Sequence, residues 1–206
     1  MVAWAENIAK RIISERPDKD EYVCAAGISP SGSVHIGNFR DVATSYFVAQ
    51  ALGEMGKKAR LLFSWDEFDR LRKVPKNVSE IRNDFEQYIG RCYSDIPNPF
   101  GSELGAESYA EYFEREFEAS IREFGIELDY RHQTEMYRSG KYTENILLAL
   151  DKRKQIYDIL ARHRTQSSSD DERNAFYPVS VYCEHCGKKW KLNIYGELEA
   201  QDGETE

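Results

Sequence analysis

The chain has 206 residues, 41% of them hydrophobic and 13% aromatic, which suits one substantial core plus an appendage and is short for two full domains. Its 36 acidic against 28 basic side chains give a formal charge of -8, so it does not grip phosphate backbones by net charge, and any nucleic-acid contact must be local. No apolar run approaches the roughly 20 residues that span a bilayer, and the N-terminus is charged and amphipathic rather than a signal peptide; the expectation is a soluble, cytoplasmic chain with no membrane partner.

In chain order, Trp4, Ile8 and Ile12 recur at helical spacing, and residues 3 to 16 read as a helix stopped by Pro17 and Asp18. Tyr22 to Ala26 is a short apolar run, read as a buried strand ending in Gly27. A Ser/Pro/Gly-rich loop leads into Phe39, Val42, Ala43, Tyr46 and Phe47, a helical stripe reaching Leu52. Ala59 to Trp65 reads as a second strand. Strand, helix and strand within about 45 residues form the βαβ unit of a parallel, doubly wound sheet, so the fold class is α/β and Rossmann-like.

Further on, Ile81, Phe85, Tyr88 and Ile89 predict a short helix, and Tyr109, Phe113, Phe117, Ile121 and Phe124 a longer one closed by Gly125, with a loop from Pro97 to Gly105 between them. Together they form a helical insertion. Ile126 to Tyr130 reads as a third strand and Lys141 to Arg164 as one long helix. Gln166 to Asn174, with three serines and three acidic residues, reads as a mobile connection. The expected division is 1–164, a nucleotide-binding half, and 165–206, a connection followed by a small zinc-ribbon-like piece.

The segment G-I-S-P-S-G-S-V-H-I-G-N, Gly27 to Asn38, lies between the first strand and its helix. It has neither the glycine spacing of a dinucleotide fingerprint nor the Lys-Ser/Thr ending of a P-loop. It does have a His-x-Gly-Asn turn. Nucleotidyl transfer builds charge on the α-phosphate and the departing pyrophosphate, and fixed donors aimed there stabilise the transition state. His35 and Asn38, three residues apart where the helix begins, are candidates for such donors at the positive end of the helix dipole. Gly37 lets a nucleotide approach the backbone.

In strand-loop-helix context this segment resembles the HIGH signature of class I aminoacyl-tRNA synthetases in its lysyl form, where Asn replaces the second His. V-A-W-A-E-N-I-A near the start, S-W-D-E-F-D-R with L-R-K-V-P-K-N-V after the second strand, and E-S-Y-A-E-Y-F later are similar to the same family. The resemblance implies that Gly27 and Ser29 hold the amino acid; Asp66, by its place after the second strand, is a further candidate to face substrate. The resemblance implies further that Pro30, Ser31, Gly32, His35, Gly37 and Asn38 hold ATP with Mg2+. His35 and Asn38 would be the catalytic pair, and lysine, ATP and tRNA(Lys) the partners.

Trp65, Asp66 and Asp69 follow the second strand, at the edge where open α/β sheets place ligands; Asp66 or Asp69 pairing with Arg70 or Arg72 is the alternative. Arg70 to Lys76 supplies four cations in seven residues, enough for a phosphate or tRNA-end contact, or else a solvated basic loop.

Cys24 and Cys92 stand alone, whereas Cys183 and Cys186 form C-x-x-C followed by Gly187, half of a zinc knuckle. The resemblance implies a second pair further along the chain. Where some family members bind zinc through Asp-Pro-x-Gly-Cys-His and a later His, this chain has Asn98, Pro99, Phe100, Gly101, Ser102, Glu103 and then Tyr112, and no metal is expected there. The KMSKS lysine loop that the resemblance implies does not occur in these residues. The expectation is therefore the N-terminal part of a lysine-tRNA ligase, without that loop or an anticodon-binding domain. The alternatives are a stand-alone remnant that binds nucleotide or RNA without aminoacylation, or another nucleotidylyl transferase.

Overall fold

The computed structural model describes residues 3–102, 104–164, 169–183, 189–193 and 195–199. The first part is built on a parallel three-stranded sheet of β1 (Tyr22–Ile28), β2 (Ala59–Trp65) and β3 (Asp129–His132), with β2 in the centre. Gly27 pairs with Ser64 and Ile28 with Trp65, while Trp65 also pairs with His132, so the three strands end together at one carboxyl edge.

Helix α1 (Ala3–Glu15) and helix α2 (Ile36–Glu54) pack together through small and branched residues. Ala5, Ala9, Val48, Ala51 and Leu52 are buried with Tyr22 of β1. The main core lies between the sheet and α4 (Tyr109–Glu123). There Phe63, Trp65 and Phe117 form a closed ring triad with centroids 4.8 to 5.5 Å apart. Each such ring pair adds roughly 0.5–1.5 kcal/mol beyond burial of its area.

β1 runs two residues further than its apolar run predicts, through Gly27 and Ile28, because the ladder to β2 continues to Trp65. β3 begins at Asp129 rather than at Ile126. The Ile126 N–H bonds back to the Ile121 carbonyl (3.3 Å) and the Gly125 N–H to that of Arg122 (3.0 Å). This is a Schellman motif, whose apolar partners Ile121 and Ile126 are both buried in the core. Ile126 thus closes a helix instead of opening a strand.

The insertion between β2 and α4 has its own core of Leu71, Val78, Phe85, Tyr93, Ile96, Tyr109 and Phe113. The predicted short helix over Ile81 to Ile89 is instead α3 (Lys76–Ser79) and a 3-10 turn at Phe85–Tyr88. Ile81 and Ile89 are exposed, so the apparent apolar stripe faces no common core.

The single long helix expected over Lys141 to Arg164 is two, α6 (Thr143–Asp151) and α7 (Arg153–Ala161), preceded by α5 (Gln133–Arg138). The break at Lys152 lets α7 lock onto α8 (Asp170–Ala175), through the bidentate Arg173–Asp158 pair (2.6 and 2.7 Å) and the Tyr157 hydroxyl donating to Glu172 (2.9 Å). No Pro or Gly marks the break in the sequence. α8 occupies residues 170–174 of the connection expected over Gln166 to Asn174. Ser169 caps it by accepting from the Glu172 N–H (3.1 Å), and acidic residues fill its first turn. β4 (Val181–Tyr182), β5 (Lys189–Leu192) and β6 (Leu198–Glu199) form a small antiparallel sheet.

Candidate functional site at the carboxyl edge of the sheet

β1 delivers the chain into the 29–35 loop, and α2 carries it away. His35 is the N-cap of α2, with extended backbone (φ -102°, ψ 171°), and its Nδ1 accepts from the Gly37 N–H at 3.1 Å. A neutral imidazole that accepts at Nδ1 carries its proton on Nε2, so this exposed side chain presents an N–H donor. The ring folds back so closely that a Cβ on residue 37 would lie 2.9 Å from its Cε1; a larger residue there would push the imidazole aside. Asn38 is exposed in the first turn, and that turn holds no acidic residue. The positive end of a 19-residue helix is left for an anion.

The rest of the loop is pinned. Pro30 is fully buried, so its side chain anchors the loop. The Ser31 N–H closes a tight turn on the Ser29 carbonyl (2.7 Å), and the Ser31 carbonyl accepts from the buried Tyr109 hydroxyl at 2.8 Å. A Cβ at Gly32 would meet nothing within 4 Å, so this part of the loop stands in the open.

On the neighbouring strand end, the Ser29 hydroxyl donates to Asp69 at 2.7 Å. The Asp66 carboxylate accepts from the Ser64 hydroxyl (2.9 Å), which itself accepts from Gln133 Nε2 (2.6 Å). Half-burial pushes the Asp66 carboxyl above its usual range, and nearby Asp69 adds to this while the Ser64 bond opposes it. Gly27 lies where a Cβ would come within 3.0 Å of the Ser64 carbonyl and 3.8 Å of Asp66. The structure therefore brings Gly27, Ser29, Asp66 and Asp69 to one edge, beside the loop that carries His35 and Asn38.

Trp65 is not at this edge in any substrate-facing sense. It is fully buried, and its indole N–H donates to Glu118 (3.1 Å). Among the described residues neither Asp66 nor Asp69 forms an ion pair with Arg70 or Arg72. Arg70 instead donates to the Gly90 carbonyl (3.1 Å) and stacks over the Tyr182 ring (4.3 Å). Lys76 lies 3.9 Å from Glu80, while Arg72 and Lys73 are exposed. Asn98 organises its own loop, donating to the Gly101 and Ala106 carbonyls and accepting from the Phe100 N–H. Cys183 follows β4 directly, so C-x-x-C falls in the connection between antiparallel strands, but Cys186, His185 and Gly187 lie outside the described residues.

Two contributors were not legible as site residues. Tyr109 shows in the sequence as an apolar helix position within E-S-Y-A-E-Y-F, without a role at the loop, and Gln133 carries no motif. The hydroxyl of a fully buried Tyr is the one available signal, because it needs a partner.

A parallel α/β sheet with a polar loop at its carboxyl edge and a histidine-capped helix behind it defines a ligand-binding class of fold. The family described as tRNA synthetases class I (K) matches residues 2–200, and the chain belongs to that family. It is similar to the lysine–tRNA ligase of Thermococcus kodakarensis, 43% identical over 204 residues, covering 99% of this chain and 36% of that relative. It is also similar to the lysine–tRNA ligases of Pyrococcus horikoshii (43% over 183 residues, 89% and 34%) and Treponema pallidum (41% over 185 residues, 90% and 34%). The chain thus spans about a third of the length of these curated relatives. Among the described residues no helix is long and apolar enough to cross a membrane.

Proposed function

We propose that this chain is the part of a lysine–tRNA ligase that receives ATP and lysine. The observation that carries the reading is the engagement of His35 Nδ1 by the Gly37 N–H, which leaves Nε2–H as a donor at the head of α2. In the proposed reaction a carboxylate oxygen of lysine attacks the α-phosphorus of ATP. The bond to the β-phosphate oxygen breaks, giving lysyl-adenylate and pyrophosphate, and the lysyl group then passes to tRNA(Lys) with loss of AMP. His35 and Asn38 would donate to the phosphates as charge builds on them, a kind of preorganised stabilisation that commonly contributes about 100-fold or more in rate.

The backbone at Ser31, Gly32 and Gly37, with Pro30 beneath, would shape the ATP cradle, and Mg2+ would accompany the triphosphate. Gly27 and Ser29 would hold the lysine main chain and Asp66 its ammonium charge; a carboxylate next to a cation returns to its ionised form. Residues 1–164 would form the nucleotide-binding half and 165–206 the smaller appended piece. There Cys183 and Cys186 would offer zinc two thiolates, a donor set that suits that ion but needs two more ligands.

The test is lysine-dependent exchange of pyrophosphate into ATP by the polypeptide that carries these residues. Exchange that requires lysine and is lost on His35→Ala supports the proposal. Exchange indifferent to lysine would point to another nucleotidylyl transferase.

A further inference from the structure

Away from the loop, three side chains converge behind the carboxyl edge: Glu67 after β2, Glu114 on α4 and His132 at the end of β3. One ligand-type atom from each lies within 4.8 Å of the others, and among the described residues no other group of three or more His, Cys, Asp or Glu does this. His132 Nδ1 is 3.9 Å from Glu67 Oε1 and 3.7 Å from Glu114 Oε2. These separations are too long for hydrogen bonds. They are a few tenths of an ångström wider than the edges of a tetrahedron with metal–ligand bonds of about 2.0–2.2 Å.

A second observation points to a ligand. The Glu114 side chain is only 10% exposed, and its Oε1 is fully buried without a hydrogen-bond partner. Burial, reinforced by the facing Glu67, Glu118 and Glu111 and only partly opposed by Arg115, pushes its carboxyl up to about 8. Buried polar atoms are ordinarily satisfied, and two buried carboxylates this close repel unless a cation or proton sits between them.

The arrangement is preorganised. Glu67 is 4% exposed, and its carboxylate accepts from the Gln133 N–H (3.1 Å) and the Thr134 N–H (2.8 Å), so each oxygen is oriented by backbone and keeps a lone pair. His132 is 41% exposed and borders an open cavity of about 370 Å³, so the histidine side of the cluster faces solvent.

We propose that Glu67, Glu114 and His132 bind one divalent transition-metal ion of the zinc or manganese type, with water from the cavity completing its sphere. Imidazole with carboxylates suits such ions, and two negative charges neutralise a dication. The site uses neither cysteine of the C-x-x-C pair, and its existence does not depend on the proposed ligase activity.

The test uses the full 206-residue chain carrying Cys183→Ser and Cys186→Ser, stripped with EDTA and titrated with Co2+ while visible d–d absorption is followed. The expected result is one Co2+ per chain without thiolate charge-transfer bands, displaced by Zn2+, with affinity falling at least ~10-fold on His132→Ala and on Glu114→Gln. Circular dichroism shows whether each variant folds, and Glu114→Gln, which keeps the side-chain shape, serves if His132→Ala does not. Absence of binding, or binding unchanged in a folded variant, would overturn the proposal.

Discussion

The Ser29 hydroxyl donates to Asp69 Oδ2 at 2.7 Å, tying the residue after β1 to the segment after β2 across the carboxyl edge. Because both partners serve one bond, Ser29→Ala and Asp69→Ala are expected not to add. The double variant should unfold at a denaturant concentration close to that of the worse single variant, with a coupling of about 0.5–1.5 kcal/mol. Urea melts of the four proteins measure it.

Gly37→Ala separates stability from ligand binding. A methyl 2.9 Å from the His35 Cε1 forces the imidazole out of its place, while alanine is otherwise the better helix residue. The melting temperature is expected to change little, within about 3 °C. ATP affinity, measured by calorimetry, should fall roughly as it does when His35 itself is replaced.

Tyr109→Phe removes only the hydroxyl that donates to the Ser31 carbonyl, leaving the ring in its buried aromatic stack with Tyr93 and Phe113. The expected cost is about 1–2 kcal/mol in global stability. Amide exchange should accelerate in the 29–34 loop more than in α4.

Glu111 sets an acid-side dependence. Its carboxylate accepts from the Glu107 N–H and pairs with Arg115, while Ser108 accepts from the Glu111 N–H, an interlocked cap at the start of α4. The Glu107 bond, then Arg115, hold its carboxyl below the usual range. A lowered folded-state value means the contribution is complete above the unfolded-chain pKa and lost as pH falls through the folded one. Glu111→Gln should therefore cost about 1 kcal/mol at pH 7 and progressively less as the medium is acidified through the lowered folded-state pKa, as a series of thermal melts at falling pH will show.

The same cap illustrates what local sequence reveals. Where periodicity and punctuation act together, as in α1, β2 and α4, the elements are legible to within a residue or two, since burial on one face and the stop signals agree. Ser169 with Glu172 carries the same S-x-x-E pattern as Ser108 with Glu111, yet its polar setting disguises α8 as a connection. The Lys152 break carries no local stop signal, and the contacts that hold α7 beyond it come from Arg173 and Glu172, both distant in sequence. At the candidate site, Gly27 to Asn38 could be picked out because loop chemistry is local. The support from Tyr109 and the linkage of Ser64 to Gln133 could not, since each joins residues 69 or more positions apart.

Titration of the 206-residue chain with ATP, comparing wild type with His35→Ser, tests the central claim most directly. Serine keeps an N-cap acceptor for α2 but withdraws the Nε2–H donor. Binding of one ATP per chain, weakened about 10-fold to 100-fold by the substitution as for loss of a hydrogen bond to a charged group, is the predicted result. ATP binding equally strong in the two proteins, or no ATP binding by the folded wild-type chain, would contradict the assignment of Gly27 to Asn38 as the nucleotide site.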